Sequence, residues 1–156
     1  MEYRSLITKF AASLGINDLV FDEHGVTRLS TDEVTIAFME AHERNSLLMW
    51  SNVATPTLEN REELYKVLLE SSFMGRGTQG ATFSLDHGDV YLHRIDPFVN
   101  LDVATLSTIV EDFLNLVEKY RHIIQIFHAG DSAKPLDDGT SVPTHGLQGL
   151  HGVMWV

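Results

Sequence analysis

The stretch Gly80–Ile95, GATFSLDHGDVYLHRI, restricts the fold of this chain more than any other. Phe83 and Leu85 alternate with Thr82, Ser84 and Asp86, and Val90 and Leu92 alternate with Tyr91 and His93. A two-residue period places one apolar row on one face of a sheet. His87-Gly88 lies between the two runs, and Gly takes the positive φ that a two-residue hairpin turn demands. Such a turn sets Leu85 opposite Val90 and Phe83 opposite Leu92, so both apolar rows fall on the same side. The register agrees with the pattern.

An apolar sheet face needs a cover, and the sequence that follows supplies one. After Asp96-Pro97, Asp102 is placed as the N-cap of a helix. Leu106, Ile109, Val110, Phe113, Leu116, Val117, Tyr120, Ile123, Ile124 and Phe127 then form one apolar stripe over about six turns. Laid across the hairpin's apolar row, it supplies on the order of 10 kcal/mol of burial before chain entropy is subtracted.

The rest of the chain adds elements of the same two kinds. Tyr3–Leu14 has helical spacing at Tyr3, Leu6, Ile7, Phe10, Ala11 and Leu14, and Gly15 is placed to end it in the left-handed conformation. Asp18–Asp22 and Val26–Leu29 read as short strands of a hairpin around Glu23-His24-Gly25. Glu33–Glu40 alternates Val34, Ile36 and Phe38 with Thr35, Ala37 and Met39. Leu47–Val53 is apolar on both faces, with Leu47, Met49 and Val53 on one and Leu48 and Trp50 on the other. A strand of that kind is buried twice or meets a partner. Glu59–Phe73 reads as a second helix with Leu64, Val67 and Leu68 as its stripe. Asn60 and Glu63 stand at capping-box spacing. From Ala129 the composition shifts to Gly, Asp, Ser, Thr and Pro, up to the apolar Val153-Met154-Trp155-Val156. The expectation is one α+β domain over 1–128 and an irregular tail over 129–156. The domain has three helices and a twisted antiparallel sheet in the order α-β-β-β-α-β-β-α, its first strand opened into a short hairpin.

Composition narrows the function. The 156 residues carry a formal net charge of −11, which repels phosphate backbones and anionic membrane surfaces and suits a basic or disordered protein partner. No run approaches the ~18 apolar residues of a membrane span, and MEYRSLITKF lacks the apolar core of a signal peptide. The expectation is a cytoplasmic protein without membrane insertion or nucleic-acid binding. With no cysteine, disulfides, zinc-thiolate sites and thiol nucleophiles are excluded.

Catalytic and metal chemistry find no support in the motifs. His24, His42 and His87 fall at turns, His93 on the polar face of a strand, His122 and His128 near the end of the last helix, and His145 and His151 in the tail. None has the spacing of a metal site, which needs three or four converging ligands. Asp86-His87-Gly88-Asp89 is accounted for by turn formation. Gly75–Gly80, GRGTQG, has a helix before it and a strand after it, the reverse of a phosphate loop. The expectation is no enzyme, no cofactor and no metal. Met39, Leu48 and Trp50 are more informative. With Phe38 and Met49 turned to the core, these three share the other sheet face, where an apolar cluster marks an interface unless the chain itself covers it.

FAASLGINDLVFDEHGVTRL, VTIAFME, SLLMWSNV, LYKVLLESSF and GATFSLDHGDVYLHRIDPFVNLDVATLSTIVEDFLNLVEKYR follow one another in an order that resembles the class I type III secretion chaperones, the Tir-chaperone-like family. The resemblance spans roughly Leu6–Ile124. It implies a homodimer in the bacterial cytoplasm with no catalysis and no ATP use. It also implies a virulence-associated role in protein transport. The partner would be a secreted effector whose N-terminal segment is bound in extended form and kept soluble and secretion-competent. By position it implies effector-binding patches at Phe10, Leu14, Phe21, Leu29, Met39, Leu48 and Trp50, and a dimer contact at Leu64 and Leu68. Physical reasoning concurs, because exposed sheet edges accept a partner strand and apolar patches accept partner side chains. The competing expectation is a non-enzymatic binding module on the same scaffold, an immunity protein or a regulator that sequesters a folded partner.

Overall fold

A computed structural model of the chain describes residues 2–56, 61–128 and 154–155. The elements run α1 (Tyr3–Ser13), β1 (Thr27–Ser30), β2 (Thr35–Ala41), β3 (Ser46–Ala54), α2 (Arg61–Ser72), β4 (Thr82–Asp86), β5 (Asp89–Pro97), α3 (Val103–His128) and β6 (Met154–Trp155). The strands form one antiparallel sheet in the order β4-β5-β3-β2-β1-β6. The α+β expectation holds, with one strand added.

The hairpin has the expected register, Phe83 opposite Leu92 and Leu85 opposite Val90. His87 and Gly88 take φ of 48° and 94°, the paired positive values of a type I′ turn. Val90 and Leu92 are buried, and the Phe83 ring meets the Tyr120 ring of α3 edge-on at 4.7 Å. Leu85, near the hairpin tip on an edge strand, is 55% exposed, so the helical cover stops short of it.

Helix α3 begins as the sequence predicts. The Asp102 carboxylate accepts the Thr105 amide at 2.8 Å, and the Asp102 carbonyl accepts that of Leu106. Hydrogen bonds from the Thr105 amide and hydroxyl hold the Asp102 carboxyl below its ordinary pKa. Every stripe residue of α3 is buried except the half-buried Ile109. Arg121 fixes the helix to the sheet by donating to the carbonyls of Asn52 and Glu33. The β3–β5 register shifts between Asn52 and Ala54, at the carbonyl that Arg121 reaches.

Helix α1 buries Tyr3, Leu6, Ile7, Phe10 and Ala11. The Tyr3 hydroxyl donates to the Phe38 carbonyl at 2.8 Å, and burial raises its pKa well above the ordinary value. Gly15 closes the helix at φ 79°. Helix α2 contributes Leu64 and Leu68 to the same core. The segment after α2 turns back beneath α3, where the Gly77 carbonyl accepts the Tyr120 hydroxyl at 2.9 Å. A Cβ on Gly77 would meet the Ser71 carbonyl oxygen and the Tyr120 hydroxyl at 2.8 Å each, so this position admits only glycine without displacement.

One predicted strand is absent. Asp18–Asp22 is irregular, and β1 begins only at Thr27. The Asp22 carboxylate accepts the amides of His24 and Val26, which winds the chain into a turn instead of a ladder. Phe21 packs singly against the Tyr3 ring at 5.8 Å, with the Arg4 guanidinium over its face. The place beside β1 belongs to β6, where Leu29 pairs with Trp155 and Ser30 with Met154. The proposed capping residue Asn60 and the tail outside β6 lie beyond the described residues.

Candidate functional site

The two faces of the sheet are built from alternate residues of the same strands. Ile36, Phe38, Leu47, Met49 and Leu92 point to the helices and are 0% exposed. The residues between them form the other face, and the register places them in rows across the strands. Met39, Leu48 and Ile95 make one row. Ala37, Trp50, His93 and Thr82 make the next, and Asn52, Tyr91 and Ser84 the third. The first row is wholly apolar, and the second pairs an indole with an imidazole.

These rows floor an open groove of about 590 Å³. Leu48, Trp50, Ile95 and Ala41 supply its apolar surface, with Tyr91 and His93 beside them. Arg44, Ser84 and Asp86 add polar groups. Met39, Leu48 and Trp50 are half-buried and Ile95 is 36% exposed, so the row is accessible along its length. Partial burial lowers the His93 pKa, since the charged ring is poorly solvated there. A neutral imidazole keeps the groove's centre uncharged near pH 7.

The expected site residues separate under the structure. Met39, Leu48 and Trp50 share the open face as expected. Leu14 and Phe21 are half-buried and pack on the edge of the core. Phe10 and Leu29 are 0% and 1% exposed, so they are core residues and present no surface to a partner. Phe10 instead packs its ring against Phe38 at 6.4 Å. Leu64 and Leu68, the expected dimer contact, are likewise buried against the chain's own core. The exposed apolar residues near them are Leu69, Phe73 and Met74 at 66%, 65% and 78%. A helical stripe read from spacing alone names the inward face, which is the face a partner does not see.

Sequence reasoning missed Ile95, Tyr91 and His93 as neighbours of Trp50. Their outward parity is legible in the hairpin. Their pairing with β3 is not, because α2 separates the two strands in sequence. Among the described residues, no group of three or more His, Asp or Glu side chains is arranged to hold a metal ion, and no helix is long and apolar enough to cross a membrane.

A small sheet with three helices on one face and an apolar groove on the other can be compared with known proteins. Residues 5–121 match the Tir chaperone protein (CesT) family. The chain belongs to that family. A search among curated proteins gives no significant match. Solved structures share the fold of this Tir chaperone family member at low sequence identity. A HopA1–SchA chaperone–effector complex matches with a TM-score of 0.63 at 23% identity, over 77% of this chain and 93% of the other. An ExsC–ExsE complex gives 0.62 at 20%, over 79% and 96%. The Yersinia pestis type III secretion chaperone SycH, with a stable fragment of YscM2, gives 0.60 at 16%, over 76% and 99%. The family match runs from within α1 to within α3 and takes in β1 to β5, while β6 lies outside it.

Proposed function

We infer that this Tir chaperone family member is a cytoplasmic, homodimeric chaperone of type III secretion. It holds an extended N-terminal segment of a secreted effector in a soluble, secretion-competent form, without catalysis, cofactor or ATP. The observation that carries the reading is the apolar row Met39–Leu48–Ile95 beside Trp50, on the sheet face opposite the helices. A half-buried apolar face on a member of a chaperone family suits the side chains of a partner segment. Such a segment loses chain entropy on binding, so contact has to be broad, and a groove continued by sheet edges provides breadth. The solved structures of similar fold, one described as a chaperone–effector complex and one as a type III secretion chaperone holding a fragment of another protein, support the same reading. Exposed Leu69, Phe73 and Met74, together with Leu85 on neighbouring β4, support a subunit contact on the α2–β4 side.

The test is capture and protection. The chain is co-expressed with secreted proteins of its own bacterium, and the bound partner is identified and digested with a protease. One protected N-terminal segment in an otherwise cleaved partner is the expected result. Protection of a whole folded domain, or no partner at all, rejects the reading. Trp50→Asp should abolish capture while the chaperone stays folded, and undiminished capture rejects the groove as the site.

A further inference from the structure

The groove on the open sheet face is uncharged in its middle and charged at its two ends. Arg44 stands in the turn between β2 and β3, next to the row of Ala41, Ser46 and Pro97. Asp86 closes β4 at the tip of the β4–β5 hairpin, opposite Asp89. Both Arg44 and Asp86 line the groove. Strand β5 joins the two ends in 9 residues, which sets them about 27 Å apart at roughly 3.4 Å per residue. Across β2, β3, β5 and β4, the rows between hold no Lys, Arg, Asp or Glu. Arg28 extends the middle row on β1, but it meets Asp22 at 3.8 Å and does not line the groove. Among the described residues Arg44 forms no ion pair. At the other end Asp86 has the exposed imidazole of His87 beside it at 3.7 Å, and the Thr55 hydroxyl fixes Asp89 at 2.6 Å.

Resting on the chaperone reading, we propose that this groove selects its partner segment by charge pattern. The segment is an extended stretch of about nine residues with apolar side chains at alternate positions. It carries a carboxylate at the Arg44 end and a basic side chain at the Asp86 end. In an extended chain, alternate side chains stand about 7 Å apart, the same step as the rows of the sheet. One face of the segment therefore meets the groove row by row, charged at each end and apolar between. The ends lie farther apart than the ~8 Å over which exposed charges act in physiological salt, so each reads its own counter-charge. A chain of net charge −11 has no general attraction for a carboxylate, which makes the unpaired Arg44 the more selective end. Leu48, Trp50 and Ile95 accept any apolar segment, and Arg44 and Asp86 turn away one with the wrong sign at either end.

The experiment titrates the full chain calorimetrically with three peptides blocked at both termini. DTLTVTLTK carries the proposed ends, KTLTVTLTK has a cation at both, and QTLTVTLTQ has no charge. DTLTVTLTK should bind the unchanged chain about fivefold more tightly than KTLTVTLTK, because one end changes from attraction to repulsion. Arg44→Glu should reverse that order, and Arg44→Gln should erase the preference. Arg44 is an exposed turn residue, so both variants should keep the urea midpoint of the unchanged chain. Equal affinities of the two charged peptides for the unchanged chain, or the same order in Arg44→Glu, overturns the proposal. QTLTVTLTQ reports on the groove itself, and its binding should be lost in Trp50→Asp. If it binds and the charged peptides do not differ, the charge pattern is rejected and the groove stands. If no peptide binds, the groove as a seat for an extended segment is rejected together with the pattern.

Discussion

Met49 and Trp50 are neighbours in one strand, yet they belong to two surfaces with different purposes. Met49 is 0% exposed and faces α3 and the core, while Trp50 is half-buried on the groove side. Below the sheet, α1, α2 and α3 close every apolar row into a single cluster. Above it, the row Met39–Leu48–Ile95 and the neighbouring Trp50 form an apolar surface that no helix among the described residues covers. The strand period is the same on both sides. The difference lies in what the chain supplies as cover. A fold that stabilises itself through one face can leave the other for a second polypeptide without losing its core.

The sharpest way to break the comparison is to place the same charge on each side. Met49→Asp buries a carboxylate opposite Arg94, whose guanidinium is already held by Asp96, and should cost about 4 kcal/mol, enough to remove the native transition in urea. Trp50→Asp should lower stability by only about 1–2 kcal/mol, from reduced strand propensity and lost partial burial. Similar losses for the two would mean that the upper face is as closed as the lower. Phe38→Ala should fall between them at about 3–4 kcal/mol, because it leaves a cavity beneath α1. Phe10→Asp belongs with Met49→Asp, since Phe10 is core, and its effect on capture would report unfolding instead of contact.

A third surface tests whether exposure alone predicts association. Leu69 and Phe73 are 66% and 65% exposed, yet they lie away from the groove rows. Leu69→Asp with Phe73→Asp should leave urea stability of the monomer nearly unchanged and shift the sedimentation profile from dimer to monomer. Leu64→Asp would instead unfold the chain, because that side chain is buried. A dimer that survives the double substitution would move the subunit contact elsewhere.

Which parts of this were legible in the sequence follows from how local each cause is. The hairpin register was legible because the two-residue turn and the alternation lie within one stretch, and the turn angles at His87 and Gly88 match it. The α3 cap and stripe were legible for the same reason. The strand expected at Asp18–Asp22 was not formed, because a carboxylate–amide turn at Asp22 competes locally and a distant strand takes the neighbouring place. The groove was half legible. Parity placed Met39, Leu48 and Trp50 together, but only the β3–β5 pairing brings in Tyr91, His93 and Ile95. The sites inferred at Phe10, Leu29, Leu64 and Leu68 are core, since apolar spacing marks what the chain itself buries.

The smallest expected effect probes how dry the open face already is. His93 stands in the row with Trp50 and Thr82, and burial lowers its pKa from the ordinary 6.5. The folded chain therefore takes up a proton at lower pH than the unfolded chain does. Stability is fully present above about 6.5 and declines as pH falls from there to the folded-state value. Asp22 and Asp102 act in a different window. Their pKa values are lowered from 3.8 by backbone amides, so they stabilise the fold above 3.8 and lose that contribution only as pH falls below it. Urea titrations of the wild type and His93→Gln between pH 7.5 and 5.5 isolate the imidazole. The wild type should lose more stability across that interval than the variant. Parallel curves would mean that the ring is as well hydrated as in the unfolded chain, and that the upper face is wetter than its apolar rows imply. A bound effector segment should steepen the wild-type slope, because covering the groove removes more water from the same ring.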